Sequence, residues 1–370
     1  MIADLTVKVG PQVYRYSEGA IDLIPEILTE HQAKNILVVH GTTSWEKAKL
    51  YLKALYAYEG TLSFVKYSGE CSYNEGERLA SIVNEHDSDF VIGVGGGKLS
   101  DVVLYACHLS NTSFGLVPTL PSNCAPWTPL SVMYKDNGMA EGKTEHVMRQ
   151  AAFLLTDPRL VIDAPVEYFV AGIADTLAKW YESDLILQQE DMRDEPFLQL
   201  AREATEICKN QIPDKSFKAI QDMKDQKVSK EFLHVSAIVF GLAGLVGGLG
   251  DKYARNTAAH AMHDALSAYL PDIHQYLHGE IVAYGIFYQL ALEEKWAMIQ
   301  ELIPFYKALQ LPMSLTEMGV YPLSETQLNK IVQLVNSKAK VHLLPIDINE
   351  SILKKAVIDL ENFIAKTVNF

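Results

Sequence analysis

Cysteine is scarce in this chain of 370 residues: there are four, Cys71, Cys107, Cys124 and Cys208, far apart and without a CxxC pair. Such spacing gives neither a disulfide framework nor a zinc ribbon, and a reducing, cytoplasmic setting is expected. Positive charge is also short, with 32 basic against 46 acidic side chains and a net charge of −14. That balance repels nucleic-acid phosphates and anionic membranes, so the expected partner is a small molecule. Long hydrophobic runs are missing as well. The longest, VSAIVFGLAGLVGGL from Val235 to Leu249, falls short of the ~20 residues a spanning helix needs, and its glycines suit a packed core helix. The start, MIADLTVKVG, carries an early acid and lacks the basic-then-apolar order of a signal peptide.

What the sequence has is apolar material for more than one core, with 48% hydrophobic and 21% charged residues. Its first 160 residues alternate strand-like and helix-like stretches. NILVVHG (35–41), LSFVKY (62–67), DFVIGVG (89–95) and SFGLVPT (113–119) read as strands. WEKAKLYLKALYAY (45–58), NEGERLASIVNEH (74–86) and LSDVVLYACHLS read as helices between them. This predicts a parallel sheet covered on both faces. Beyond Val161 the alternation stops, and long periodic segments such as VEYFVAGIADTLAKWYESDLIL predict a helical half. The expected division is an α/β domain over 1–160 and an all-α domain over 161–370, with the ligand in a cleft where they meet.

After the strand ending at Val94 comes Gly95-Gly96-Gly97-Lys98-Leu99-Ser100-Asp101, opening a helix. Backbone N–H groups at such a turn face an anion without obstruction by side chains, and a dinucleotide pyrophosphate fits there. The segment matches neither a GxGxxG fingerprint nor a P-loop, because Lys98 stands where the last glycine belongs and Leu99 where Ser or Thr belongs. A tight turn with no ligand is the competing reading.

In AAHAMHDALSAYLPDIHQYLHGE, His260 and His263 share a helix face, and His278 opens the next helical segment 18 residues after His260. Two imidazoles from adjacent helices and a carboxylate from a third make a three-ligand metal site with an open position. Asp175, inside the apolar VAGIADTLAKW, is the candidate carboxylate, since a charge there needs a cation or strong hydrogen bonds. On spacing alone His263 and His274 stand level with His260 and His278, and a satisfied core histidine or a helix-capping acid is the competing reading.

Together GGGKLSD, VPTLPSNCAPWTPLSVMY, FVAGIADTLAKWYE and AAHAMHDALSAYLPDIHQYLHGEIVAYG resemble, in this order, the signature segments of the glycerol-dehydrogenase-like branch of the iron-containing alcohol dehydrogenases. The resemblance runs almost end to end. It implies a dehydroquinate-synthase-like architecture, an α/β dinucleotide-binding domain followed by an all-α domain, with a divalent metal between them. It places the metal ligands on Asp175, His260 and His278, with His263 as a near neighbour. It places NAD(P)(H) on Gly97, Lys98, Leu99, Ser100 and Asp101, then Thr119 and Ser122, then Thr128, Leu130 and Tyr134, to which the reading of the glycine turn adds Gly95 and Gly96. Two imidazoles and a carboxylate suit Zn²⁺ first, then Fe²⁺. Association into a homo-oligomer is expected, with no nucleic-acid or membrane partner.

Three departures bear on substrate and cofactor. The polyol-contacting aspartate of glycerol dehydrogenases, in STDAP, is matched here by Cys124 in Ser122-Asn123-Cys124-Ala125-Pro126; a neutral thiol does not repel an anionic substrate. Lys179, one turn after Asp175, replaces the additional histidine ligand of the iron-dependent enzymes. It is either a partner for a substrate carboxylate or a solvated lysine at a helix edge. The strand end His40-Gly41-Thr42-Thr43-Ser44 lacks the acid that binds the adenine ribose of NAD, which makes NADP(H) at least as well suited. CAPWTPLSV, AGIADTLAKWYE and GGLGD (247–251) are most similar to the hydroxycarboxylate dehydrogenase subgroup, which acts on 2-oxo acids. The expected reaction is hydride transfer between a 2-oxo acid and its 2-hydroxy acid, with His263 relaying a proton. The alternative is oxidation of glycerol or a 1,2-diol. A dehydroquinate-synthase-like lyase would need further ligands and basic residues for a phosphorylated substrate, which the Lys179 region lacks, and a non-catalytic metal- or nucleotide-binding regulator stands as the remaining rival.

Overall fold

The computed structural model describes Ile2 and residues 4–368, which group into two units. One comprises Val9–Phe169 with Lys215–Gly244, the other Met1–Lys8, Val170–Asp214 and Leu245–Phe370. The packing thus differs from a single cut at 160/161: it puts residues 1–8 with the second unit and residues 161–169 and 215–244 with the first. The stretch 215–244 is tied to the first unit through Ser236, whose hydroxyl pairs with the Tyr16 hydroxyl at 2.8 Å, and through Phe240, edge-on to the Tyr16 ring.

The first unit is built on a six-stranded sheet whose pairs are all parallel. Its strands are β1 (Val13–Tyr16), β2 (Asn35–His40), β3 (Thr61–Lys66), β4 (Phe90–Gly95), β5 (Ser113–Pro118) and β8 (Phe153–Thr156), in the order β1-β8-β5-β4-β2-β3. β4 is buried along its whole length, as its unbroken apolar run requires, whereas the edge strand β3 is partly exposed. From β2 the chain steps outward to β3, then crosses back to β4 and continues to β5 on the other side. Winding therefore reverses beside β4, and ligands of open α/β sheets bind at such a reversal, outside the carboxyl ends of the strands. The glycine turn leaves β4 at that end.

A separate antiparallel hairpin, β6 (Leu130–Tyr134) with β7 (Ala140–His146), was not foreseen; β7, AEGKTEH, has no buried residue and hence no apolar pattern to read. The expected helix over 45–58 is instead two short ones, Thr43–Ala48 and Lys53–Tyr56. Leu52 leaves helical dihedrals between them, with φ −87° and ψ 31°, and the break keeps Ala48, Leu52 and Leu55 all buried.

The second unit holds no strand among the described residues. VEYFVAGIADTLAKWYESDLIL forms one 22-residue helix, Val166–Leu187. The periodic stretch after Leu277 is two helices, His278–Leu292 and Trp296–Leu309, parted where Glu294 adopts a left-handed φ of 55°. Every residue from Ile281 to Leu292 is buried, which marks the His278 helix as the centre of its unit. The apolar run around Val235 belongs to a helix longer than the run itself, Lys230–Tyr253, 24 residues whose most apolar 18-residue window has a mean hydropathy of 2.0. By length and composition it could cross a membrane, a correction to the expectation from the run alone; 72% of its apolar window is buried inside the protein, as in a core helix.

Candidate metal centre and dinucleotide turn

Three helices of the second unit bring Asp175, His260 and His278 together: Val166–Leu187, Ala258–Tyr269 and His278–Leu292. Two glycines permit their closeness. A Cβ at Gly279 would lie 1.9 Å from the carbonyl oxygen of Ala171, and one at Gly285 would lie 2.4 Å from that of Ala259. Backbone therefore packs on backbone at both crossings, which side chains would hold apart. One ligand atom from each of the three residues lies within 4.8 Å of the others. Asp175 Oδ1 is 3.1 Å from His260 Nε2 and 3.8 Å from His278 Nε2. Asp175 and His260 are buried and His278 is half-buried.

The Asp175 helix carries two more buried charges on the same stripe, Lys179 at i+4 and Glu182 at i+7. Lys179 is 5% exposed and its Nζ lies 3.7 Å from Asp175 Oδ1, so it faces the donors and is not a solvated lysine at a helix edge. Glu182, 1% exposed, reaches the start of the His260 helix. Its Oε1 accepts the backbone N–H of Thr257 at 2.7 Å and of His260 at 2.9 Å, and its Oε2 accepts His260 Nδ1–H at 2.6 Å. Gln289 Oε1 accepts the next two, Ala258 N–H at 3.1 Å and Ala259 N–H at 3.3 Å. The orphan donors of this helix are thus met by side chains from two other helices, not by its own N-cap residue.

His278 Nδ1 lies 3.0 Å from His263 Nε2, and His263 Nδ1 lies 3.2 Å from Asp264 Oδ1. Lys340 and Lys338 flank Asp264 at 3.5 and 3.6 Å. Burial, aided by the neighbouring His278, pushes His263 down to about 4, so it is neutral at pH 7. Burial pushes Asp175 up, but Lys179, His260 and His278 outweigh it and hold the carboxyl well below its usual range. Burial likewise raises Glu182, and His260 beside it brings the net shift below the ordinary value. Two ionised, buried carboxylates therefore face one buried ammonium, and the remaining negative charge is met by a protonated His260 or by a cation on its Nε2.

The donor set fits a divalent cation. His260 presents Nε2 to Asp175 because its other nitrogen is taken by Glu182, and His278 presents Nε2 because its Nδ1 is taken by His263. A carboxylate behind a ligating histidine is the usual support of a metal-bound imidazole, and Glu182 supplies it to His260, while His263 takes that place behind His278. His263 belongs to this supporting layer, and His274, exposed in the turn Pro271–Gln275, stands apart from the cluster.

In the first unit the helix Gly97–Leu109 starts with Gly96 as N-cap, a residue with no side chain to cap the first turn, and a helix N-terminus of this kind suits an anion. The Asn123 side chain lies against Gly97, where a Cβ would come within 2.7 Å of its Oδ1; sequence reasoning did not single it out. Lys98 Nζ is 2.6 Å from Glu70 Oε2 and sits 4.6 Å from the centre of the Tyr134 ring. Thr119 donates its N–H to Gly95 O at 3.0 Å, and Thr128 its hydroxyl to Ala125 O at 3.3 Å. Ser122 and Leu130 are half-buried on the same stretch, and Cys124 is buried in it. Trp127 anchors that loop by donating Nε1–H to Val9 O at 2.8 Å.

Leu99, Ser100 and Asp101 are buried. The Ser100 hydroxyl donates to Gly96 O, and Asp101 Oδ2 accepts the N–H of Val132 at 3.1 Å, pinning the β6–β7 hairpin. Asp101 Oδ1 has no hydrogen-bond partner, and burial pushes the carboxyl up to about 8. At the end of β2 the Ser44 hydroxyl donates to Val94 O at 3.4 Å, and His40 stacks on Trp45 with ring centres 4.5 Å apart.

A profile of the family described as iron-containing alcohol dehydrogenase matches residues 11–158. Over 362 residues the chain is 31% identical to hydroxycarboxylate dehydrogenase A of Escherichia coli, covering 97% of this chain and 98% of that protein. It is 28% identical over 346 residues to a glycerol dehydrogenase of Thermotoga maritima, covering 89% of each. In fold it is similar to a probable glycerol dehydrogenase of Sinorhizobium meliloti, with a TM-score of 0.86 at 24% identity over 99% of this chain and 100% of that one.

Proposed function

The chain belongs to the iron-containing alcohol dehydrogenase family, on its glycerol-dehydrogenase-like branch, and on that premise we propose that it interconverts a 2-oxo acid and its 2-hydroxy acid. Its family makes it an oxidoreductase working with NAD and a divalent metal; the 2-oxo acid, zinc as the metal and use of NADP(H) are our reading.

Lys179 carries that reading. A buried ammonium beside the donor cluster is placed to pair with a carboxylate next to the carbonyl being reduced, a role a polyol substrate does not need. Cys124 is compatible with it, since a neutral thiol stands where glycerol dehydrogenases carry an acid. Held by Asp175, His260 and His278, a divalent cation would supply Lewis acidity to the substrate oxygen while the nicotinamide carries the hydride. Glu182 takes His260 Nδ1–H, which leaves Nε2, facing Asp175, as the atom that would bind the cation. His263, neutral, accepts the Nδ1–H of His278 at Nε2 and gives its own Nδ1–H to Asp264, and along these atoms we place the exit of a proton. At the end of β2, Ser44 is engaged with Val94, and the Thr42 and Thr43 hydroxyls are those offered to a 2′-phosphate.

Relatives named glycerol dehydrogenase favour a second reading, oxidation of glycerol or a 1,2-diol. Lys179→Met, assayed at saturating zinc, separates the two. Loss of a buried charge partner should lower kcat/KM for a short 2-oxo acid about 30-fold or more, with a much smaller loss for hydroxyacetone. Equal losses for both would remove Lys179 from substrate recognition and favour the polyol.

A further inference from the structure

One carboxylate, Glu182, serves two sets of donors that an amide could not serve together. Its Oε1 takes two backbone N–H groups at the start of the His260 helix, and its Oε2 takes the ring N–H of His260, the third residue of that helix. The Thr257 hydroxyl closes the joint by donating to the Glu182 carbonyl oxygen. The site needs acceptors on both oxygens, and a carboxylate alone is an acceptor on both.

We propose that Glu182 is the positioning residue that sets the His260 tautomer and thereby makes His260 a metal ligand. This inference rests on reading Asp175, His260 and His278 as the metal triad, and it adds what turns one of them into a donor. With Nδ1–H held by Oε2, the lone pair is confined to Nε2, the atom facing Asp175. Through Oε1 the same residue fixes where the His260 helix begins, so ring orientation and helix position are set by one group.

An amide cannot replace it. In Glu182→Gln the amide oxygen can stay on the Thr257 and His260 N–H groups, but then the NH₂ points at His260 Nδ1. That nitrogen must become the acceptor, the proton moves to Nε2, and the lone pair for the metal is lost. If the amide turns over instead, the ring keeps its tautomer while two buried N–H groups face an NH₂, and both lose their acceptor. Gln289 caps the same helix without touching the ring, through Ala258 and Ala259, and so separates helix capping from tautomer control.

The test measures zinc dissociation constants by chelator competition on the full-length protein stripped of metal, together with its thermal midpoint. Glu182→Gln should weaken zinc binding by about 10- to 100-fold. Gln289→Ala should lower the midpoint while leaving zinc affinity near that of the wild type. Glu182→Asp, which keeps both acceptors on a shorter arm, should recover part of the lost affinity and serves in place of the Gln variant if that does not fold. Nitrogen-15 spectra of the zinc-loaded wild type should show His260 protonated at Nδ1 and metal-bound at Nε2. The inference is overturned if Glu182→Gln binds zinc as the wild type does, if Gln289→Ala weakens zinc equally, or if His260 carries its proton on Nε2. Asp175→Asn isolates the underlying reading: unchanged zinc affinity there rejects the triad itself, whereas loss there with no loss in Glu182→Gln rejects only the role of Glu182.

Discussion

Replacing Gly279 by alanine should take the metal site apart through the backbone alone. The new Cβ would start 1.9 Å from the Ala171 carbonyl oxygen, 2.5 Å from its carbon and 2.9 Å from its Cα, and real Cβ atoms do not approach within 3.0 Å. These obstacles are backbone, so no side-chain rotation relieves them. The two helices must part until 1.9 Å becomes at least 3.0 Å, a shift of about 1.1 Å. Gly279 adjoins His278, and Ala171 is one turn before Asp175, so the shift falls on two ligands whose donor atoms are now 3.8 Å apart. Metal–ligand bonds tolerate roughly 0.2 Å. Zinc affinity should therefore fall by at least about 100-fold, and overpacking should cost about 1–3 kcal/mol of stability. Chelator competition reads the first and chemical denaturation the second. A folded Gly279→Ala protein with wild-type zinc affinity would refute the claim that this crossing sets the triad.

Two further changes test other parts of the molecule. Cys124→Asp restores the acid found in glycerol dehydrogenases and should lower kcat/KM for a 2-oxo acid by about tenfold or more while raising it for glycerol; a parallel change for both substrates would separate Cys124 from substrate choice. Asp101, raised to about 8 from 3.8, keeps its proton in the fold while the unfolded chain has lost it. Stability is therefore lost as pH rises from about 4 to 8, and Asp101→Asn, which still accepts from Val132, should be the more stable protein by a few kcal/mol at pH 8.5. Urea titrations at pH 5 and 8.5 should show the gap between variant and wild type widening with pH; a constant gap counts against an uncharged Asp101.

The glycine turn was legible because its signal is local: a buried apolar strand, three glycines and a helix follow one another in the chain. Asp175, His260 and His278 were legible as chemistry, because a carboxylate and imidazoles in apolar helices need a partner, yet spacing left His263 and His274 level with His260 and His278. What separated them is tertiary: His263 Nε2 is occupied by His278, and His274 lies in an exposed turn. Glu182 and Gln289 went unread because they act on backbone N–H groups 75 and 31 residues away. A signal for Glu182 was present, since Asp175, Lys179 and Glu182 follow an i, i+4, i+7 stripe in an apolar helix. The burial of Lys179 was not legible, because a lysine on a helix reads the same whether water or another helix covers it. The β6–β7 hairpin escaped because an exposed polar strand carries no hydrophobic period.

The most direct measurement of the function is oxidation of NADH and NADPH by the zinc-loaded wild-type enzyme, with short 2-oxo acids set against hydroxyacetone and the reverse reaction run with glycerol. Turnover of a 2-oxo acid with the higher kcat/KM, at least as good with NADPH as with NADH, is the expected result. Turnover of hydroxyacetone and glycerol with none of the 2-oxo acids would contradict it.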